Sequence, residues 1–236
     1  MKQSTGNTRK ERYVYHVFQE IAEGYDRANQ RISLGAHMRW KKKAAAFLIR
    51  RMPGRPHILD LGCGTGDMLR IFYEMNSHAD LTGLDFSPHM LKIAGRNCRD
   101  INKLTLIRGN ALKIPLPDVS FDGVAISFAL RNTADYDKVL KEAYRVLKPG
   151  GIFICLDSFV PESPLIRPFY HIYFSCIMPF LGGGVRRRKA YQWLTSSTKA
   201  FISVKELKRR MSGAGYRDLS ERSFLFGASA FVAGRK

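Results

Sequence analysis

Two hundred and thirty-six residues, 45% apolar and 25% charged, describe a globular chain able to bury a sizeable core, which excludes disordered, collagen-like and coiled-coil architectures. Lys and Arg number 39 against 20 Asp and Glu, a formal +19 that points first to an anionic partner such as nucleic acid or a membrane surface. The excess is uneven: residues 1–55 hold 13 basic and 4 acidic side chains, residues 56–157 hold 12 of each, and residues 158–236 hold 14 and 4. A neutral catalytic core with basic flanks fits that distribution better than a coat for a polyanion.

Cys63, Cys98, Cys155 and Cys176 are far apart and lack paired metal-ligand spacing, so a reduced cytoplasmic setting is expected and no metal. The N-terminus lacks the apolar core of a signal peptide. The most apolar stretch, residues 169–181, is interrupted by His171 and is shorter than the ~20 residues needed to cross a bilayer.

In chain order, helices before Pro53 are expected to pack over the edge of the sheet where ligands bind. From Pro56, short apolar runs alternate with amphipathic stretches of helical length, the pattern of a parallel α/β sheet. The first strand is predicted at residues 57–61, followed by Gly62-Cys63-Gly64-Thr65-Gly66 and a helix through about Met75, whose Met68, Leu69, Phe72 and Met75 share a face. A second strand is expected at 80–85. Ser87 then caps a helix with Pro88 at its first position. Further strands are predicted at 104–108 and 121–127, then a helix at 135–147 stopped by Pro149-Gly150-Gly151, then a fifth strand at 152–157. A Pro-punctuated aromatic insertion follows, then a helix near 204–214 and two closing strands near 216–220 and 224–233. The expected layout is one domain, with 1–55 as a helical cap, 56–157 as the cofactor core, 158–202 as a lid insertion and 203–236 as the closing elements.

The Gly62-x-Gly64-x-Gly66 loop joins a strand to a helix, so its backbone can approach a ligand and present amides to it. Its spacing is not that of the dinucleotide fingerprint, since the third glycine comes one residue early. Asp60 precedes the loop, and Asp85 ends the second strand, where a carboxylate can accept both ribose hydroxyls. With no phosphate-binding Lys or Arg at the loop, a nucleoside bearing positive charge, such as S-adenosylmethionine, fits better than a pyrophosphate. Asn110-Ala111 would meet the adenine edge and Ser127 the methionine side.

These residues fall within a wider pattern. Tyr25-Asp26, Leu59-Asp60-Leu61-Gly62-Cys63-Gly64-Thr65-Gly66-Asp67, Gly83-Leu84-Asp85-Phe86-Ser87-Pro88, Gly109-Asn110-Ala111, Ser127-Phe128-Ala129-Leu130-Arg131-Asn132 and Tyr144-Arg145-Val146-Leu147-Lys148-Pro149-Gly150-Gly151 are spread over nearly the whole chain. In them the sequence resembles the ubiquinone/menaquinone biosynthesis C-methyltransferase family. The resemblance implies a class I methyltransferase fold: a Rossmann-like seven-stranded sheet, mostly parallel with the last strand antiparallel, under a helical cap. It also places Thr65, Asp85, Asn110, Ala111 and Ser127 at the family's cofactor positions, beside Asp60, Gly62 and Gly64 read from the loop itself. The implied reaction is methyl transfer from S-adenosylmethionine to a ring carbon of a demethylmenaquinol-type polyprenyl hydroquinone.

Ring methylation calls for a phenolate-like nucleophile. Candidates near the strand ends are Arg131, Asn132 and Asp157, with His171 and Tyr191 weaker; Arg131 would stabilise the phenolate and Asn132 orient it. Where relatives read Glu after the fifth strand this chain has Asp157, and where they are acidic it has Arg186, Arg187, Arg188 and Lys189. Those four, with Arg39 and Lys41 to Lys43, form a rim suited to anionic lipid. The expected partners are therefore a lipophilic small-molecule acceptor and, peripherally, an anionic membrane, with a homodimer left open and nucleic acid disfavoured. Two other readings stay open: methylation of another small-molecule, phospholipid or RNA acceptor, and a non-catalytic cofactor-binding module.

Overall fold

The computed structural model describes residues 9–21, 24–172 and 196–236. Seven strands form one sheet in the order β3-β2-β1-β4-β5-β7-β6. They are β1 (His57–Leu61), β2 (Asp80–Asp85), β3 (Leu104–Arg108), β4 (Phe121–Ser127), β5 (Leu147–Ser158), β6 (Arg217–Phe224) and β7 (Ser229–Arg235). The first five run parallel, and β7 is antiparallel to both its neighbours, β5 and β6. The seven-stranded class I methyltransferase sheet expected from the sequence is the one observed. The change of direction after β1, with β2 on one side and β4 on the other, creates the crevice at which open α/β sheets bind ligands.

The two-residue period of the strands divides the core. Leu59 and Leu61, Val124 and Ile126, and Phe153 and Cys155 face one side, beneath Val139, Leu140 and Ala143 of α6 (Tyr136–Val146) and Leu207 and Met211 of α8 (Val204–Gly213). Ile58, Ala125, Ile152 and Ile154 face the other, beneath Met68, Leu69 and Phe72 of α4 (Asp67–Met75) and Ala44, Ala45 and Leu48 of α3 (Ala36–Ile49). Helix α5 (Pro88–Asn97) opens as expected, with Ser87 Oγ accepting from Met90 N at 3.2 Å and Pro88 at its first position. Helix α6 is capped by Asp135, which accepts from Lys138 N at 3.0 Å.

The N-terminal helices do not all cover the ligand edge. Helix α1 (Arg9–Ile21) does: Lys10 Nζ donates to the carbonyls of Arg131 (3.2 Å) and Thr133 (2.6 Å), and Gln19 Nε2 donates to Ser87 Oγ (3.3 Å). Helix α3 instead lies on a face of the sheet, so closely that a Cβ on Gly123 would come within 2.7 Å of Leu48. Its Ala44, Ala45 and Leu48 are fully buried, and that apolar stripe outweighs the three lysines preceding it. Nor do all three lysines form a free basic rim: Lys41 is buried in an ion pair with Asp67 at 2.8 Å, whereas Lys42 and Lys43 are exposed, Lys43 lying over the Phe224 ring.

Two boundaries also differ from expectation. Strand β5 begins at Leu147, directly after α6, because Leu147 already pairs with Phe121; a bulge then takes up Lys148 to Gly151 before Ile152 pairs with Gly123. The closing hairpin turns at Leu225–Gly227, inside what reads as a single strand, because Leu225, Phe226 and Gly227 all take positive φ (47°, 54° and 91°). Among the described residues no helix is long and apolar enough to cross a membrane. The side chain of His171, residues 186–189 and Tyr191 lie outside the described part.

Candidate active site

The chain leaves β1 through the glycine loop. Gly62 (φ 67°) and Gly64 (φ 55°) adopt left-handed conformations that favour glycine, and a Cβ on Gly62 would stand 2.8 Å from that of Ala129. The loop is fastened to β2 from both ends. Gly62 N donates to Leu84 O at 2.7 Å, and Gly64 N donates to Asp85 Oδ2 at 2.9 Å. The second oxygen of Asp85 accepts from Ser87 N at 2.8 Å, so this carboxylate fixes the loop and the start of α5 together. Burial pushes the Asp85 carboxyl up to about 6, against the amide bonds that favour its charged form.

Asp60 is 1% exposed and neither carboxylate oxygen has a hydrogen-bond partner. Burial raises it to about 8, partly offset by the field of Lys41. The Ser127 hydroxyl, at the end of β4, is likewise buried without a partner. Buried polar groups are rarely left in this state, so unpartnered atoms beside a glycine loop mark a place where a ligand completes the bonding.

Beyond these groups a cavity of about 770 Å³ opens at the carboxyl ends of the strands, within the range of small-molecule sites. Gly62, Gly64, Asp85, Asn110, Ala111 and Ser127 all line it. Asn110 closes a turn by accepting from Leu112 N at 2.9 Å, which fixes its position at the wall. Thr65 is not in the wall: its hydroxyl donates to Asp26 Oδ1 at 2.7 Å, tying α2 (Tyr25–Ser33) to the loop. Asp60 lies behind the wall, at the end of β1.

The three candidate catalytic residues are brought together, in unequal roles. The Arg131 guanidinium pairs with Asp157 Oδ1, Arg131 N donates to Asp157 Oδ2 at 3.3 Å, and Ser158 N also donates to Oδ1, at 2.8 Å. Asp157 is 0% exposed, both its oxygens accept hydrogen bonds from the protein, and it does not line the cavity. Of the three, only Asn132 lines the cavity, and its Oδ1 is buried without a partner.

Other wall residues are absent from the sequence reading. Arg12, Tyr15 and His16 reach the cavity from α1, with Tyr15 against Phe86 at 5.8 Å between ring centroids. Phe128 also lines it, held at φ 55° with its N–H donating to Leu156 O at 2.7 Å. The run Ser127 to Asn132 was the available signal for Phe128. That an N-terminal helix covers this edge was expected; which of its side chains reach a pocket some fifty residues downstream only the tertiary contacts decide.

The unpartnered Asp60 carboxylate suits a cationic group, and the glycine loop and Asp85 suit a ribose, which together fit S-adenosylmethionine. When bound there, its sulfonium supplies an electrophilic methyl group. Fold and site define a class I methyltransferase that uses S-adenosylmethionine.

The chain belongs to the ubiE/COQ5 methyltransferase family, whose model matches residues 6–236. It is 37% identical over 234 residues to a demethylmenaquinone methyltransferase of Staphylococcus haemolyticus, covering 98% of this chain and 97% of that one. To the demethylmenaquinone methyltransferase of Listeria welshimeri it is 38% identical over 231 residues, covering 96% and 97%. Among solved structures, a complex of the Haloferax volcanii Trm112 methyltransferase activator with a methyltransferase matches at TM-score 0.68 and 22% identity, covering 92% of this chain and 96% of that one. A methyltransferase from Aquifex aeolicus matches at TM-score 0.61 and 17% identity, covering 92% and 97%. At these identities the two structures speak for the fold alone.

Proposed function

We propose that this protein methylates a ring carbon of a demethylmenaquinol-type polyprenyl hydroquinone, acting from the cytoplasm at the inner face of the membrane. The observation that carries the reading is a single cavity bounded by cofactor-suited groups at Asp85, Asn110 and Ser127 and, beside them, by the unpartnered amide oxygen of Asn132. The family and the substrate in the names of its relatives supply the acceptor class.

In this reading Asp60 acts from behind the wall as the counter-charge for the ammonium of the cofactor, while Asp85 takes its ribose hydroxyls, Asn110 and Ala111 its adenine edge, and Ser127 its methionine portion. The glycines hold the backbone at the ligand, and Thr65 braces the loop through Asp26. Asn132 Oδ1 accepts a hydrogen bond from a ring hydroxyl, increasing electron density on the ring carbon that takes the methyl group. Arg131 and Asp157 act as positioning residues, since their pair fixes the short turn that carries Asn132. The whole chain works as one methyltransferase domain in which α1 closes the cofactor edge.

Purified protein with labelled S-adenosylmethionine, offered demethylmenaquinol, a phospholipid and RNA in parallel, tests the reading. Turnover on demethylmenaquinol is expected. Turnover confined to the phospholipid or to RNA would overturn it, and tight cofactor binding with no turnover on any acceptor would favour a binding module.

A further inference from the structure

The turn between β6 and β7 exposes two large apolar side chains, Leu225 (62% exposed) and Phe226 (77%). Both have positive φ, which bulky residues rarely adopt, so the backbone holds them in water against its own preference. Their place in the sheet is specific. Strand β7 enters at Ser229, opposite Ser158 at the carboxyl end of β5, so the turn projects from the edge where the cavity opens.

The segment leaving β5 reaches the same region: Phe159 N donates to Ala228 O at 3.1 Å, and Phe226 lines a groove with Val160, Glu162 and Ser163. That segment leads into α7 (Arg167–Ile172), where Leu165, just ahead of the helix, and Phe169 within it are 81% and 72% exposed. Cations accompany these apolar groups. Arg222 and Arg167 are exposed, and Lys43 lies over the ring of Phe224 next to the turn. Of the acidic residues nearby, Glu221 is paired with Lys208 at 3.1 Å, which leaves Glu162 as the opposing charge.

We propose that the Leu225-Phe226 turn, with Leu165 and Phe169, inserts into the headgroup region of an anionic bilayer, so that the cavity edge of the sheet faces the lipid. Apolar tips framed by Arg and Lys are the chemistry of interfacial membrane binding. The proposal rests on the reading that the acceptor is lipophilic, and it explains how such a molecule reaches the cavity without crossing water.

Full-length protein is sedimented with vesicles of phosphatidylglycerol and, separately, of phosphatidylcholine. The informative variant is Leu225→Asn with Phe226→Asn, because Asn tolerates left-handed φ and the fold is kept while the apolar tips are removed. Wild type is expected to partition onto the anionic vesicles, and the double variant to lose about tenfold or more of that partitioning with unchanged cofactor affinity by calorimetry. Arg222→Gln should weaken binding to phosphatidylglycerol only. Equal partitioning of wild type and double variant, or no wild-type partitioning, would overturn the proposal. So would a dimer lost in the double variant by analytical ultracentrifugation with vesicle binding intact, which would assign the patch to a second copy. Because vesicle binding needs neither cofactor nor turnover, its failure is distinct from failure of the acceptor assignment.

Discussion

Arg131 and Asp157 form an ion pair almost sealed from water, with the carboxylate 0% and the guanidinium residue 7% exposed. One pair thus joins the end of β5 to the turn after β4, and the backbone amide of Arg131 strengthens the join. A pair so placed is costly to halve, since the surviving charge is left without partner or solvent.

Asp157→Ala should therefore lower unfolding stability by about 3–5 kcal/mol, measured by urea denaturation, as Arg131 is left buried and uncompensated. A residue acting as a base would behave differently, keeping its stability and losing turnover alone. Asn132→Ala tests the other side: it should leave the unfolding free energy within about 1 kcal/mol of wild type while lowering kcat.

Asp60 predicts a pH dependence. Its folded carboxyl, raised to about 8 from 3.8, holds its proton more tightly than the unfolded chain does. Stability of the cofactor-free protein should then fall as pH rises through that window and level off above it. Asp60→Asn should flatten this slope in thermal melts. Calorimetry at pH 7 in buffers of different ionisation enthalpy should show proton release on cofactor binding in wild type and none in the variant.

Asp85→Ala should abolish measurable cofactor binding and also cost about 1–3 kcal/mol of stability, because the amides of Gly64 and Ser87 lose their shared acceptor. Calorimetry and chemical denaturation check the two effects separately; unchanged affinity would remove Asp85 from the ribose site.

The loop glycines should respond differently to alanine. At Gly62 the new Cβ meets Ala129 at 2.8 Å, whereas at Gly64 nothing lies within 4 Å. Gly62→Ala should reduce both stability and binding, while Gly64→Ala should bear mainly the backbone cost of about 1–2 kcal/mol. Parallel melts and titrations of the two proteins decide this.

The strands and helices of the core were legible because each apolar run had the period of its element and ended on a marked residue, such as Ser87 before α5 or Asp135 before α6. The seat of α3 on the sheet was hidden by Lys41 to Lys43, which read as part of a rim suited to anionic lipid although Lys41 is buried against Asp67. The turn at Leu225–Gly227 was hidden because no Asn or Asp announces its left-handed backbone. At the site, Asp60, Gly62, Asp85 and Ser127 could be read from their places at strand ends. That Arg131 and Asp157 pair with each other could not, since 26 residues separate them and only the β4–β5 pairing makes them neighbours.

The seating of α3 on the sheet has a consequence for how the chain can be divided. Leu48 fills the space above Gly123, and Lys41 reaches the first turn of α4, right after the glycine loop. A fragment starting at Pro53 would present Ile58, Phe72 and Ala125 to solvent and leave Asp67 without its cation. Loss of the N-terminal helices should therefore dismantle the nucleoside pocket together with the sheet, in one transition. The basic leader is part of the foundation of the domain, and swapping it between relatives would have to carry the matching sheet face along with it.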